Sequence, residues 1–364
     1  MNQAFTNINE IPVKTWSWLK VNSATIKGNI PFISSYLKNP VEKLPEGIEL
    51  QPVEQYDPHL NEGMPVSTVK KELLDFTKEN RNSGYFIRIP ENFKSEEPLI
   101  LSYELNDSYP TLVDDTFILA EKDSCATVII IYKASGNKPF FHNGITRVYA
   151  EKEADIKLIK IQMLKDNDIH SDHVLGHCEE KGNIEIILSE LGGKEAVGSC
   201  SIDLLGEKSR GELSTIYLGD KDRELDMNYR ITHYGKNSES EIHSRGVLKD
   251  RTRKVFRGTI DFISGASGSK GSEEEHTILL SPNIKNISTP LLLCGEADVE
   301  GAHAASTGKL DENMLFYLMT RGLSEKDARK IMVEASFAPV IEKITLDSLK
   351  ETLSSYVRGK LDYE

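Results

Sequence analysis

Cysteine is scarce in this chain of 364 residues, limited to Cys125, Cys178, Cys200 and Cys294. No two are spaced as a CxxC pair, and four are too few to staple so long a chain. A disulfide-framed secreted module is therefore excluded, and a reducing, cytoplasmic setting is expected. Long apolar runs are also lacking. The longest, such as Val128–Tyr132 and Leu291–Cys294, fall far short of the roughly 20 residues a membrane-spanning helix needs. The opening residues Met1-Asn2-Gln3-Ala4-Phe5 lack the basic-then-apolar order of a secretory leader, so none is expected. Cations are outnumbered, with 44 Lys+Arg against 57 Asp+Glu and a formal charge of −13. That balance argues against nucleic acid and against an anionic membrane surface as partners.

What is present falls into three zones: residues 1–97, mixed and partly helical; 98–308, rich in strands; and 309–364, helical. In the first, Val69, Leu73 and Phe76 share one face of a helix expected from about Ser67 to Arg81, and Tyr85–Ile89 reads as a short strand. In the second, short runs follow one another with Gly, Asn, Asp and Ser between them. They are Thr127–Tyr132, Asp155–Leu164, Asn183–Leu188, Cys200–Leu205, Leu213–Leu218, Asp226–His233, Val255–Ile263, Thr277–Leu280 and Pro290–Cys294. Asp155-Ile156-Lys157-Leu158-Ile159-Lys160-Ile161 interleaves apolar residues with Lys, the pattern of one buried and one wet face. So many short strands must close their edges, and with no blade signature or strict hexapeptide repeat an irregular β-helix is the expected architecture.

In the third zone Asp311 can cap a helix burying Met314, Leu315, Leu318 and Met319, with Gly322 stopping it. Ser324 can cap a second helix that presents Ala328, Ile331, Met332 and Ala335 and ends before Pro339. Leu346, Leu349, Leu353 and Tyr356 mark a third.

Several clusters carry candidate chemistry. His170-Ser171-Asp172-His173 with His177-Cys178 has metal-ligand residue types, but no second half matches it elsewhere, and a solvated turn is expected. Gly265–Ser272 lacks P-loop spacing and precedes Glu273-Glu274-Glu275, so a flexible surface loop is expected. Asp220, Asp222 and Asp226 could serve glycoside chemistry or simply form a turn. The most suggestive stretch runs from Ser288 to His303, where an apolar strand passes into an acidic one and ends at a His among small residues.

Those last residues resemble a known family. Pro290-Leu291-Leu292, then Ala297-Asp298-Val299-Glu300-Gly301-Ala302-His303-Ala304-Ala305-Ser306-Thr307-Gly308-Lys309-Leu310-Asp311, are similar to the SufB/SufD pattern P-x-L-E-I…D-D-V-K-C-S-H-G-A-T-x-G-x-L-D. Asp311–Ser324 continues it, and Asp226–His233, Val255–Ile260 and Ile278–Ser281 fit upstream. More weakly, Pro12-Val13-Lys14-Thr15…Trp18 resembles an N-terminal pattern of SufD-type members. The resemblance implies a right-handed parallel β-helix flanked by helical regions. It also implies a non-catalytic scaffold for iron–sulfur cluster assembly, which pairs with a SufB-like subunit through the β-helix end and engages a SufC-like ATPase through the C-terminal helices. Phe316, Tyr317, Arg321, Gly322 and Ala328 would then contribute to ATPase docking, and ATP binding would move Asp311–Phe337 and open the paired interface. The chain looks SufD-like, because the SufB cysteine segment is missing where Pro282-Asn283-Ile284-Lys285 stands.

His303 falls on the family's His, implicated where a transient cluster forms between the two subunits. The Cys that SufD members often carry two residues earlier is Gly301 here, which leaves Cys294 and Glu296 as lesser candidates for ligation. Two alternatives stay open: a carbohydrate-active β-helix enzyme using Asp220, Asp222 or Asp226, and a SufB-like homodimer that holds a cluster alone.

Overall fold

The computed structural model describes residues 5–55 and 69–362. Its organising unit is a pair of strands repeated about every 29 residues along the chain. The N-terminal part supplies β1 (Phe5–Ile8), β2 (Ala24–Ile26), β3 (Val41–Lys43), β4 (Glu49–Pro52) and helix α1 (Lys71–Asn80). Strands then follow without interruption: β5 (Tyr85–Ile89), β6 (Leu99–Leu105), β7 (Thr111–Ala120), β8 (Cys125–Ala134), β9 (Phe141–Ala150), β10 (Asp155–Met163), β11 (Ile169–Cys178), β12 (Asn183–Glu190) and β13 (Glu195–Leu204). They continue with β14 (Arg210–Gly219), β15 (Glu224–His233), β16 (Glu239–Leu248), β17 (Arg253–Phe262), β18 (Ser269–Leu279), β19 (Lys285–Cys294) and β20 (Val299–Gly308). Three helices close the chain: α2 (Glu312–Thr320), α3 (Glu325–Ile341) and α4 (Asp347–Leu361).

Alternate strands build opposite walls. Among the described residues β6 to β20 of even number form one parallel sheet and β5 to β19 of odd number the other, each nine-stranded once β3 and β4 add antiparallel at one end. This is a parallel β-solenoid of about eight turns, as the strand pattern led us to expect. Its corners explain the missing glycine repeat. Asn92, Asp123, Glu153, Lys181, Lys208 and Asn237 each adopt a left-handed conformation, φ 55–60°, once per turn. Each corner from Asp123 to Asn237 donates its N–H to a carbonyl of the turn stacked on it, at 2.9–3.1 Å. Asn and Asp tolerate this region best; at the Lys and Glu corners the stacked hydrogen bond offsets the local cost.

Both walls are covered outside as well as inside. Ile129, Ile159, Ile161, Ile187, Ile216 and Val247 on the even wall pack under Val333, Phe337, Val340, Leu349, Leu353 and Val357 of α3 and α4. On the odd wall Val113, Phe141, Leu175 and Val197 lie under Phe5, Ile8, Leu73 and Phe76. Each such large apolar side chain contributes about 1.5–3 kcal/mol on burial. Arg257 fastens the N-terminal arm. It is fully buried, pairs with Asp226 at 2.7 and 2.8 Å, and donates to the Val21 carbonyl, while Asn9 donates to Asp226 at 2.7 Å.

Several expectations change. The helix begins at Lys71; Ser67 lies outside the described residues. The wet face assigned to β10 is wrong beyond its first turn of alternation. Lys157 is half-buried at the surface, but Lys160 points into the interior and is 3% exposed, while Ile159 and Ile161 face outward beneath the helices. His170–Cys178 is no solvated turn but all of β11 save its first residue, buried throughout. Gly265–Ser272 is a turn only up to Gly268; from Ser269 it is strand, with Gly271 buried. Helix α2 buries none of its residues, because it projects from the solenoid; Met314, Phe316, Tyr317 and Met319 are exposed. Pro339 lies within α3, and that helix buries Ala328, Val333, Phe337, Val340 and Ile341 rather than Ile331 and Ala335. The expected caps at Asp311 and Ser324 are present, accepting from Asn313 and Met314 N–H and from Asp327 N–H. Gly322 takes the left-handed conformation, φ 97°, that ends α2.

Candidate functional site

The two ends of the solenoid differ. One is closed by the short antiparallel strands β3 and β4, the other ends on β19 and β20, each bonded to a neighbour on one side only. An edge strand carries a row of unpaired backbone donors and acceptors, a ready template for another chain. From Glu300 to Gly308 every residue of β20 is exposed.

Register shows where each side chain of this last turn points. Parallel neighbours in register point to the same face. Glu273 pairs with His303, Gly271 with Gly301, and Glu275 with Ala305. On β18, Gly271, Glu273, Glu275 and Thr277 face the interior. His303 therefore faces the lumen side, and is exposed only because no further turn covers it. Asn286 of β19 donates to Thr307 of β20 at 3.0 Å, tying the two walls together at the rim.

Beneath the rim the lumen is polar. Lys254 and Glu275 form a buried ion pair, with Ser288 Oγ 3.0 Å from Lys254 Nζ and Tyr217 donating to Glu275 at 2.7 Å. Burial lowers the Lys254 pKa, and Glu275 partly offsets this. Glu273 is 3% exposed, with no hydrogen-bond partner for either carboxylate oxygen among the described residues. Burial first, then neighbouring Glu275, push its pKa up to about 8.

Deeper in the lumen lies a second polar group. Asp114 accepts from Tyr132 OH at 3.0 Å and from His142 Nε2 at 2.7 Å. That bond assigns the Nε2–H tautomer to His142, whose Nδ1 then accepts from His170 Nδ1 at 2.8 Å. His170 Nε2 is left bare, 3.6 Å from Glu190 Oε2. Burial and the nearby Asp172 raise Glu190 to about 7, while burial drives His170 well below its ordinary value. Alongside, Lys160 reaches Asp172 at 2.7 Å and Thr146 at 2.8 Å. His173 instead faces Ser171 and Ser199, on the other side of the strand. Among the described residues no group of three or more His, Cys, Asp or Glu is arranged to hold a metal ion.

The other candidates separate. Cys294 is exposed at the end of β19, in register with Phe262 and so on the lumen-facing side. Glu296 caps its own turn: its carboxylate accepts from the N–H groups of Gly265, Ala297 and Asp298, at 2.9, 2.8 and 3.4 Å, and these hold its pKa low. Asp220, Asp222 and Asp226 do not converge on a shared site: each pairs with a different arginine, Arg223, Arg251 and Arg257. Phe316 and Tyr317 are exposed on α2, with Arg321 5.2 Å from the Tyr317 ring, but Ala328 is fully buried and offers no surface. The buried Lys254, Glu273, Glu275 set is not apparent in the sequence, where Glu273-Glu274-Glu275 reads only as an acidic run after a loop. Its one signal was that Glu273 and Glu275 flank Glu274 on a strand, so two acids of three share the inner face.

Residues 103–336 match the family described as SUF system FeS cluster assembly, SufBD core domain. Among curated proteins, the iron–sulfur cluster assembly protein SufD of Bacillus subtilis is 27% identical over 282 residues, covering 77% of this chain and 64% of that protein. An iron–sulfur cluster assembly SufBD family protein of Staphylococcus saprophyticus is 25% identical over 271 residues, covering 73% of this chain and 57% of that protein. A Staphylococcus epidermidis protein of the same description is 24% identical over the same length. The matches thus span less than two thirds of the relatives' own length.

Proposed function

Because the chain belongs to the SufB/SufD family, we propose that it is a SufD-like scaffold subunit of SUF iron–sulfur cluster assembly, not an enzyme by itself. The observation that carries this reading is His303: an imidazole on the lumen face of an edge strand paired on one side only, at a solenoid end left uncovered among the described residues. A SufB-like subunit adding its own terminal strands to β19 and β20 would bury that edge and bring its thiolates to the imidazole. The cluster is cargo assembled between the subunits. Thiolates are its ordinary ligands and His an accepted one.

A SufC-like ATPase would dock on α2, whose exposed Met314, Phe316, Tyr317 and Met319 form an adaptable apolar surface beside Arg321 and Gly322. Helix α2 follows β20 directly, through residues 309–311, so a displaced α2 pulls on the strand that carries His303. Differential binding of the two ATPase states is what would drive such a switch.

Co-expression with SufB-like and SufC-like chains, followed by pull-down and anaerobic reconstitution, tests this. The expected result is a ternary complex whose cluster yield falls in His303→Ala while subunit recovery and thermal stability stay the same. Unchanged yield removes His303 from the site. Failure to recover either partner sinks the scaffold reading.

A further inference from the structure

We propose that Glu273 and His303 together form this chain's share of a binding site for a divalent transition-metal cation at the mouth of the lumen. The proposal rests on the reading of His303 above and deepens it by adding a second ligand and a cargo.

One column of lumen-facing residues climbs the even wall through strands in register: Leu99, Val128, Leu158, Ile186, Leu213 and Ile242. All six are aliphatic. At the next step the column becomes Glu273, and at the last step His303. The solenoid thus switches one column from aliphatic to metal-ligating types where it opens.

Glu273 has no structural task that its contacts reveal. A buried polar group without a hydrogen bond is costly and calls for an explanation. Among the described residues Glu273 is the carboxylate with both oxygens orphaned. Its neighbour Glu275 is already neutralised by Lys254 and bonded by Tyr217. The opposite wall makes room for it: a Cβ on Gly258 would lie 2.7 Å from the Glu273 Cγ. Side by side on adjacent strands, Glu273 and His303 offer one carboxylate and one imidazole, the donor types that suit ferrous iron, manganese and cobalt. Two ligands leave the remaining positions to water or to a facing subunit, in keeping with the absence of a complete three-ligand cluster among the described residues.

Cobalt(II) is the probe, titrated into the whole chain without oxygen and followed by its visible d–d bands and by calorimetry. The expected result is saturable binding of one ion per chain, weakened about tenfold or more by Glu273→Gln and likewise by His303→Ala. Glu273→Gln keeps the shape and removes the ability to ionise onto a cation, so an unchanged or raised melting temperature shows that the fold is intact. No saturable binding up to millimolar cobalt(II), or unchanged affinity in Glu273→Gln, overturns the proposal. Loss in His303→Ala alone removes Glu273 and keeps His303 as a ligand. Subunit recovery in the pull-down tests the scaffold reading independently.

Discussion

Lys160 and Asp172 meet at 2.7 Å inside the solenoid, one on each wall, and both are almost completely removed from water. Their pairing ties the walls together where the lumen would otherwise be filled by apolar packing. Removing one partner of a buried pair leaves an uncompensated charge, which costs about 3–5 kcal/mol. Asp172→Asn and Lys160→Met are each expected to lower the unfolding free energy by that order, read from urea denaturation. The double variant Lys160→Met/Asp172→Leu should recover part of the loss. Additive losses in the double variant would show that the two residues are not coupled.

Glu190 makes stability depend on pH in a definite direction. Its folded pKa of about 7 lies above the ordinary carboxylate value, so the native state holds a proton that the unfolded chain releases. Its contribution is fully present at low pH and is lost as pH rises toward and through 7. Asp172, Lys160 and Gln162 face it from β11 and β10, as do the His170 and Tyr229 side chains from β11 and β15. The buried His170 and His173 act oppositely below their ordinary pKa, so the wild-type curve mixes both signs. The difference between Glu190→Gln and wild type isolates the carboxyl. It should grow in favour of Gln from pH 5 to 8, by a few kcal/mol at most, at about 1.4 kcal/mol per pKa unit. A flat difference in melting temperature across that range would refute it.

Asp226 and Arg257 latch the N-terminal arm, so Asp226→Ala should leave Arg257 buried and unpaired. The expected outcome is a loss of about 3–5 kcal/mol together with faster cleavage within residues 5–30 in limited proteolysis followed by mass spectrometry. Destabilisation with an unchanged cleavage map would mean that the pair supports the solenoid and not the arm.

Phe316 is 68% exposed on a helix that buries nothing. Phe316→Asp should therefore leave the melting temperature within about 1 °C, as surface changes away from special contacts do. In the proposed complex it should cut recovery of the ATPase subunit at least severalfold. Full recovery would move docking away from α2.

The sequence made some of this legible and hid the rest for identifiable reasons. Alternation betrayed the start of β10, where inward Ile156 and Leu158 flank the half-buried Lys157. It failed for β7 and β11, which are buried on both faces, between the lumen on one side and α1 or the N-terminal arm on the other. Such strands carry no period-two signal, and the polar residues His170 and Asp172 inside β11 read as a turn. The repeat was hidden because its corner residue is Asn, Asp, Glu or Lys by turns, held by a stacked hydrogen bond instead of by one residue type. His303 was visible through its small neighbours and its resemblance to a family. Glu273 was not, because pairing with His303 is a fact of register between residues 30 positions apart.

The unequal ends govern how such molecules can assemble. With β3 and β4 running antiparallel and only three and four residues long, the N-terminal face offers little to a further strand. If β19 and β20 form the pairing edge proposed above, a rod with one such tip joins tip to tip and keeps no second edge of that kind among the described residues. Closed pairs would then be the natural product, and runaway polymerisation into fibres, the hazard of any stack of parallel strands, would be blocked by geometry.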